Sequence, residues 1–145
     1  MAEGLPLEVR LHHVGFVVRN IESQMAGFTS SIFATSSSRI FHDPLQKVRV
    51  AFLHPLDPTG PLIELVEPAA DDSPVERFLK KGGGLHHLCY EVRELNDHLR
   101  KMRARGAVMV KPPHPAVAFE NRSIAWVMTK DKLLLEFLGK QNGQG

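Results

Sequence analysis

The sequence has very little cysteine and no long apolar run, and each scarcity excludes a class of protein. Cys89 is the single cysteine among 145 residues, so a disulfide within the chain is excluded and a reducing compartment is expected. No apolar segment approaches the roughly 20 residues that a membrane-spanning helix needs. The acidic, proline-containing first residues do not favour a signal peptide. We therefore expect a cytoplasmic protein without a membrane partner.

An excess of charge of one sign is also missing. The formal net charge is +2, from 18 lysines and arginines against 16 acidic residues, and the basic residues are scattered. This distribution does not favour a nucleic-acid partner, but it suits an anionic small molecule. A hydrophobic content of 43% with 23% charged residues is typical of a soluble globular protein. The length is that of one domain with a core of its own.

What the sequence does contain is an internal duplication. Leu11–Val18 reads LHHVGFVV and Leu85–Val92 reads LHHLCYEV, so both copies have Leu-His-His, an apolar residue, a small residue, an aromatic, a variable position and Val. The second histidines of the two copies, His13 and His87, lie 74 residues apart (87 − 13). This offset is close to half of the chain. Both copies have the composition of a β-strand.

The same features follow each copy. A stripe of apolar residues at helical spacing begins eight residues after the second histidine in both halves (21 − 13 and 95 − 87). A strand with a glutamate closes each half, 51 residues after His13 at Glu64 (64 − 13) and 49 after His87 at Glu136 (136 − 87). The stripes consist of Ile21, Met25, Phe28 and Ile32 in the first half and Leu95, Leu99 and Met102 in the second.

Each half therefore predicts a βαβββ module in an α+β fold. A single domain is expected over 1–145, with module one at about 10–67, a linker helix at about 71–84, module two at about 85–138 and a disordered tail at 139–145. The segment KPPHPAVAFEN is predicted to be a proline-interrupted loop. Eight main strands are expected, four in the curved sheet of each module, and the two modules together form a pseudo-symmetric curved mixed sheet. Each helix should pack on the outer face of its sheet.

Four polar residues occupy repeat-related positions on these strands: His13, Glu64, His87 and Glu136. If the two modules pack as a cup around a pseudo-twofold axis, equivalent side chains converge on that axis. Two imidazoles and two carboxylates suit Co²⁺, Mn²⁺, Fe²⁺, Ni²⁺ or Zn²⁺. For any one of these residues a polar rim or a solvated carboxylate is the alternative. The repeat-related set as a whole favours a divalent-metal site.

The first histidine of each pair is predicted to lie on the other face of its strand. Strict alternation along a strand puts His12 and His86 on the face opposite His13 and His87. A small residue lies two positions beyond each second histidine and leaves room beside it, so we choose the second histidines as ligands. The small residue of the second copy, Cys89, is assigned to packing rather than to a thiolate ligand. The remaining histidines have no repeat partner and are predicted to be surface or loop residues: His42, His54, His98 and His114.

These motifs resemble the vicinal oxygen chelate superfamily, which is built from paired βαβββ modules. The similarity covers about residues 10–138, and IELVEP followed by DSPVERFLKKGGGLHH is most similar to the methylmalonyl-CoA epimerases. The resemblance implies a homodimeric, metal-dependent isomerase that stabilises an enolate of an acyl-CoA or related thioester. It also implies that His13, Glu64, His87 and Glu136 are the metal ligands and that Glu136 is the catalytic residue that moves the proton.

The chain departs from the epimerases at two places. They commonly carry glutamine where Glu64 stands, so the quartet is also similar to that of bacterial glyoxalase I. They carry a glutamate before the third strand that is thought to act as a second catalytic base, and this chain has Leu45 and Gln46 there. Alternatives are therefore a glyoxalase I-like lactoylglutathione lyase and a non-catalytic small-molecule-binding protein. Asp43 and Glu120 are the candidates for a substitute base. Candidates for contacts with thioester phosphates are Arg39, Lys111 and Arg122.

Overall fold

The structure is a computed structural model and describes residues 9–140, so residues 141–145 of the predicted tail lie outside it. Within that range the first half contains β1 (Val9–Val17), α1 (Ile21–Ser31), β2 (Ser36–Ser37), β3 (Phe41–Asp43), β4 (Val48–His54) and β5 (Leu62–Pro68). The second half contains α2 (Glu76–Lys80), β6 (Gly84–Val92), α3 (Leu95–Ala104), β7 (Val108–Ala116), a 3₁₀ turn (Val117–Phe119), β8 (Arg122–Met128) and β9 (Leu134–Leu138). The order repeats as the duplication predicts, except that the two short strands β2 and β3, which both pair with β4, take the place of a single strand in the first half.

The nine strands of residues 9–140 form one mixed sheet. Its order is β2-β4-β5-β1-β6-β9-β8-β7, and β3 pairs with β4. β1 pairs in parallel with β5, and β6 pairs in parallel with β9. The α+β class and the pseudo-symmetric curved sheet are confirmed. The curved sheets expected of the two modules are continuous, because β1 and β6 form an antiparallel ladder that joins the halves at the centre.

The two long helices bury the apolar stripes predicted from the sequence. Ile21 of α1 is fully buried in a cluster with Ala51 and Leu53 of β4. Leu99 of α3 packs in the same way on Phe137 of β9. Because side chains alternate along a strand, Phe52, which lies between Ala51 and Leu53 on β4, points to the other face of the sheet. That inner face holds the candidate site.

The proline-rich segment differs from its prediction. β7 continues through KPPHP to Ala116, so most of the predicted loop is a strand. β7 is at the edge of the sheet and pairs with β8 alone, and its register shifts between Met109 and Lys111 and again between Lys111 and His114. A proline cannot donate to a strand ladder, and an edge strand with irregular pairing is where this loss is tolerated.

No helix within residues 9–140 has the length and apolar character needed to cross a membrane.

Candidate functional site

Four buried side chains converge at the centre of the sheet. One donor atom from each of His13, Glu64, His87 and Glu136 lies within 4.8 Å of all the others. Nε2 of His13 is 3.2 Å from Oε1 of Glu64 and 3.1 Å from Oε1 of Glu136. Nε2 of His87 is 3.1 Å and 3.3 Å from the same two oxygens. The structure therefore brings all four predicted residues together around one point.

Strand register explains why they meet. The four residues lie on β1, β5, β6 and β9, the four adjacent central strands. Across the β1–β6 ladder, His13 faces Cys89 and His87 faces Gly15, so each histidine lies opposite the small residue of the other copy. A Cβ on Gly15 would lie 2.6 Å from both ring nitrogens of His87. The small residues noted in the sequence thus leave the space that the two histidine rings occupy.

An aromatic side chain supports each of these histidines. Phe52 packs edge-to-face on His13 with ring centroids 5.5 Å apart, and Trp126 packs on His87 at 4.7 Å. Sequence reasoning missed both aromatics. Their spacing of 74 residues (126 − 52), which is also that of the two histidines, was the signal that could have found them.

The prediction for His12 and His86 is wrong. The pairing of β1 with β6 skips His12, between Leu11 and His13, and skips His86 on the other strand. Each position has the register of a β-bulge, which breaks strict alternation. As a result Nδ1 of His12 lies 2.9 Å from Nδ1 of His13, and Nδ1 of His86 lies 2.8 Å from Nδ1 of His87. Nothing in the residue types indicates these bulges.

The charges of the quartet stabilise one another. Burial alone would lower the pKa of His13, but the carboxylate of Glu64 and further contacts raise it well above its usual value. The pKa of His87 is raised against the effect of burial by hydrogen bonds to Glu136 and Glu64. Burial would raise the pKa of each carboxyl group, but the histidines lower both. The raised pKa values of the histidines and the lowered pKa values of the carboxyl groups thus favour opposite charges that balance one another in a buried place.

The flanking histidines carry no charge at neutral pH. Burial, followed by the charge on His13, lowers the pKa of His12 to about 4. Burial, followed by the charge on His87, lowers the pKa of His86 to about 4. Burial also raises the pKa of the Cys89 thiol to about 12, so this group is protonated at neutral pH and fits packing rather than thiolate ligation.

The donor set fits a divalent transition ion. Two imidazole nitrogens and two carboxylate oxygens point at a single buried position, and this mixture suits Zn²⁺, Mn²⁺, Fe²⁺, Co²⁺ or Ni²⁺. Four protein donors would leave positions for a substrate on an ion with six ligands. The ligand role of the quartet stays a prediction.

A cavity of about 360 Å³ opens beside the quartet. This volume lies within the range of ligand pockets. His87, Glu64 and Glu136 form part of its wall, and Lys111 is the single lysine or arginine that lines it within residues 9–140. Most of the remaining wall is aliphatic and includes Val48, Val50, Val66, Val75, Val110 and Leu134.

The wall carries an amide where the epimerases carry glutamate. Gln46 lines the cavity, and its Oε1 accepts a hydrogen bond of 3.2 Å from Nε1 of Trp126. Its Nε2 donates to Oδ2 of Asp43 at 2.9 Å. Asp43 is buried and also lines the cavity, whereas Glu120 is exposed and is not among the lining residues. Of the two candidate substitutes for the missing base, the structure brings Asp43 to the wall.

Of the remaining predicted residues, some lie at the cavity or the surface as expected and others do not. Arg122 donates to the carbonyl oxygen of Gly139 and to Glu91, and the Arg39 guanidinium lies 4.1 Å from the Phe41 ring centroid. Lys111 alone of the three predicted cations lines the cavity. His42 and His54 are exposed as predicted. His98 is half-buried, with its ring 4.5 Å from that of Phe137, and His114 is half-buried too.

Comparison with known proteins finds related sequences and structures of the same fold. Residues 12–126 match the model of the Glyoxalase/Bleomycin resistance protein/Dioxygenase superfamily. The chain is 29% identical over 124 residues to the ethylmalonyl-CoA/methylmalonyl-CoA epimerase of Cereibacter sphaeroides, which covers 84% of this chain and 90% of that protein. The crystal structure of methylmalonyl-CoA epimerase from Mycobacterium tuberculosis superposes with a TM-score of 0.81 at 23% identity, covering 97% of this chain and 96% of that one. A methylmalonyl-CoA epimerase in complex with methylmalonyl-CoA and NH4+ superposes with a TM-score of 0.77 at 20% identity, covering 94% and 97%.

Proposed function

Since the chain belongs to the Glyoxalase/Bleomycin resistance protein/Dioxygenase superfamily, we propose that it is a divalent-metal-dependent, epimerase-like isomerase of acyl-CoA thioesters. The observation that carries the proposal is the buried His₂Glu₂ quartet beside an apolar cavity. The name of the Cereibacter relative supports a malonyl-type thioester as the substrate class. A malonyl-type thioester carries a second carbonyl group next to its α-carbon. It therefore offers two oxygens for chelation and an acidic α-proton.

The proposed metal ligands are His13, Glu64, His87 and Glu136. A divalent ion held by them would act as a Lewis acid and stabilise the enolate that forms when the α-proton leaves. The aliphatic wall keeps water away from the carbanion and strengthens every charge interaction inside the cavity. Lys111 offers a positive charge to an anionic part of the substrate.

We assign the removal and return of the substrate α-proton to Glu136. Its carboxylate is buried, and hydrogen bonds from His13 and His87 lower its pKa against the effect of burial, so it is ionised at neutral pH. Glu136 lines the cavity, which is the position a general base needs. Gln46 on the same wall cannot accept a proton in this way. We therefore assign the single base to Glu136, although Glu64 and Asp43 also line the cavity, and the Asp43 carboxylate accepts a hydrogen bond from the amide of Gln46.

The test follows the α-proton of methylmalonyl-CoA and ethylmalonyl-CoA by proton NMR in D₂O, with a metal analysis of the same purified protein. We expect one equivalent of divalent metal, with exchange that stops after chelation and returns when metal is added back. Inversion of configuration, measured with a stereospecific coupled assay, should be slower than exchange because one base serves one face of the carbanion. Metal-loaded protein that exchanges no thioester proton would contradict the proposal.

A glyoxalase I-like reaction is the second candidate, and Glu64 is the residue that favours it. Glu64 completes a quartet of two histidines and two glutamates, similar to the set of bacterial glyoxalase I, and it is buried 3.1 Å from His87 Nε2. The same metal-loaded protein can be assayed with the hemithioacetal of methylglyoxal and glutathione. Formation of lactoylglutathione without thioester proton exchange would select this candidate.

A further inference from the structure

The two histidine pairs form one arrangement twice. In each pair the Nδ1 atoms of neighbouring residues face each other, at 2.9 Å between His12 and His13 and at 2.8 Å between His86 and His87. In each pair Nε2 of the second ring points at the carboxylates. The β-bulges at His12 and His86 produce this arrangement because they turn two successive side chains towards each other.

An Nδ1–Nδ1 contact of this length is a hydrogen bond only if one of the two nitrogens carries a proton and donates it, and the ring that carries this proton decides what Nε2 can do. A nitrogen that binds a metal must present a lone pair, so a neutral ligand imidazole carries its proton on the other nitrogen. If His13 owns the shared proton, its Nε2 is free to bind. If His12 owns it, neutral His13 carries its proton on Nε2 and cannot bind. The same choice applies to His86 and His87.

Packing holds both flanking rings in place. The His12 ring lies edge-to-face on Phe119 at 5.3 Å, and the His86 ring lies edge-to-face on Phe78 at 4.9 Å. Both rings are half-buried. A ring held in this way keeps its Nδ1 acceptor aimed at its neighbour without a loss of side-chain entropy on metal binding.

We propose that His12 and His86 are positioning residues for the metal site: each accepts the Nδ1–H of the following histidine and so fixes Nε2 of His13 and His87 as the metal-binding nitrogen. This inference rests on the proposed function, because it assumes that the quartet binds metal. A hydrogen-bonded partner on the other nitrogen of a ligand histidine is worth about 10- to 100-fold in metal affinity.

Co²⁺ binding tests the proposal without any enzyme assay. Affinity is measured by competition with a chromophoric chelator, and the visible absorption of bound Co²⁺ reports its geometry. We expect His12→Leu and His86→Leu to bind Co²⁺ about 10- to 100-fold more weakly. His12→Asn and His86→Asn place an amide oxygen near the Nδ1 position and should recover most of the affinity. The exposed His54 supplies the control His54→Leu, which should bind as the wild type does.

The tautomers are read directly in the folded wild type, so the test survives a leucine variant that fails to fold. In Zn²⁺-loaded protein, long-range ¹H–¹⁵N spectra should show His13 and His87 protonated at Nδ1 and His12 and His86 protonated at Nε2. The reverse tautomer in either pair, or leucine variants with wild-type Co²⁺ affinity, would overturn this proposal alone. A wild-type protein that binds neither ion would overturn the metal site and the positioning role with it.

Discussion

The two halves of the molecule are alike at the sheet centre and unlike in the loops above it. Leu45 and Phe119 occupy equivalent places, 74 residues apart (119 − 45), as do the two second histidines. Leu45 is 55% exposed, whereas Phe119 folds inward and packs on His12 and His13. The loop of the second half therefore packs on His13 through Phe119, whereas Leu45 of the first half points to solvent.

The cavity walls show the same contrast. Gln46 of the first half lines the cavity, whereas its equivalent Glu120 (120 − 46 = 74) is exposed. The four strands that hold the quartet are constrained by ladders on both sides, and the loops are not. Duplication can thus keep the geometry of the quartet while each half changes its contribution to the cavity wall. The first half supplies the Gln46 amide to the cavity wall and the second half supplies the Phe119 ring.

The largest expected effect comes from removing the equivalent histidines of the two halves one at a time. His13→Ala and His87→Ala should each abolish stoichiometric metal, a loss beyond the roughly 100-fold expected for a residue that only orients a ligand. Both rings are buried and face the same two carboxylates, so the losses should match. Metal analysis after gel filtration gives the result. A variant that keeps one metal ion per chain would remove that histidine from the site.

The unequal walls can be made more alike with Gln46→Glu. The new carboxylate would face the cavity beside Asp43, whose charge raises the pKa of a neighbouring acid and favours its action as a base. General-base catalysis contributes about 100-fold or more, so inversion should approach the rate of proton exchange. NMR exchange and a coupled stereospecific assay are compared in one sample. The matched control is Glu120→Gln on the exposed loop, and an unchanged ratio of inversion to exchange in Gln46→Glu would refute the one-base interpretation.

The two small residues are equivalent in position but not in the space around them. Gly15→Ala should destabilise the fold by about 1–3 kcal/mol, as expected for overpacking, because its Cβ would lie 2.6 Å from the His87 ring nitrogens. Cys89→Ala removes one buried atom and should cost about 1 kcal/mol. Urea unfolding of the metal-free proteins measures both free energies. A Gly15→Ala protein as stable as the wild type would mean that the His87 ring moves aside without penalty.

The smallest expected difference concerns an arginine in each half. Arg122, with 18% of its side chain exposed, donates to the Gly139 carbonyl and to Glu91. Its replacement by Met should cost about 1–3 kcal/mol, because a partly buried acceptor loses a charged donor. Arg49 pairs with Glu22 on the surface and with Glu67, and Arg49→Met should cost about 1 kcal/mol or less. Thermal unfolding of the two variants ranks them, and a larger loss for Arg49 would contradict the argument from burial.

The sequence by itself determined the parts that repeat with a fixed period. The echo at Leu11–Val18 and Leu85–Val92, the helical stripes and the closing glutamates predicted two βαβββ halves, and the structure has them apart from the division of one strand of the first half into β2 and β3. The same repeat selected His13, Glu64, His87 and Glu136, which the structure brings together. Local periodicity sufficed because apolar spacing fixes which face of an element is buried, and equivalent elements adopt equivalent places.

The tertiary structure decided everything that depends on pairing between distant strands. The β1–β6 ladder joined the curved sheets of the two modules, and its register created the bulges that turned His12 and His86 towards their neighbours. The edge position of β7 turned a predicted proline loop into a strand. The hydrogen bonds of Gln46 with Asp43 and Trp126 join residues up to 80 positions apart. None of these follows from local residue types, because a register shift of one residue changes every side-chain direction beyond it.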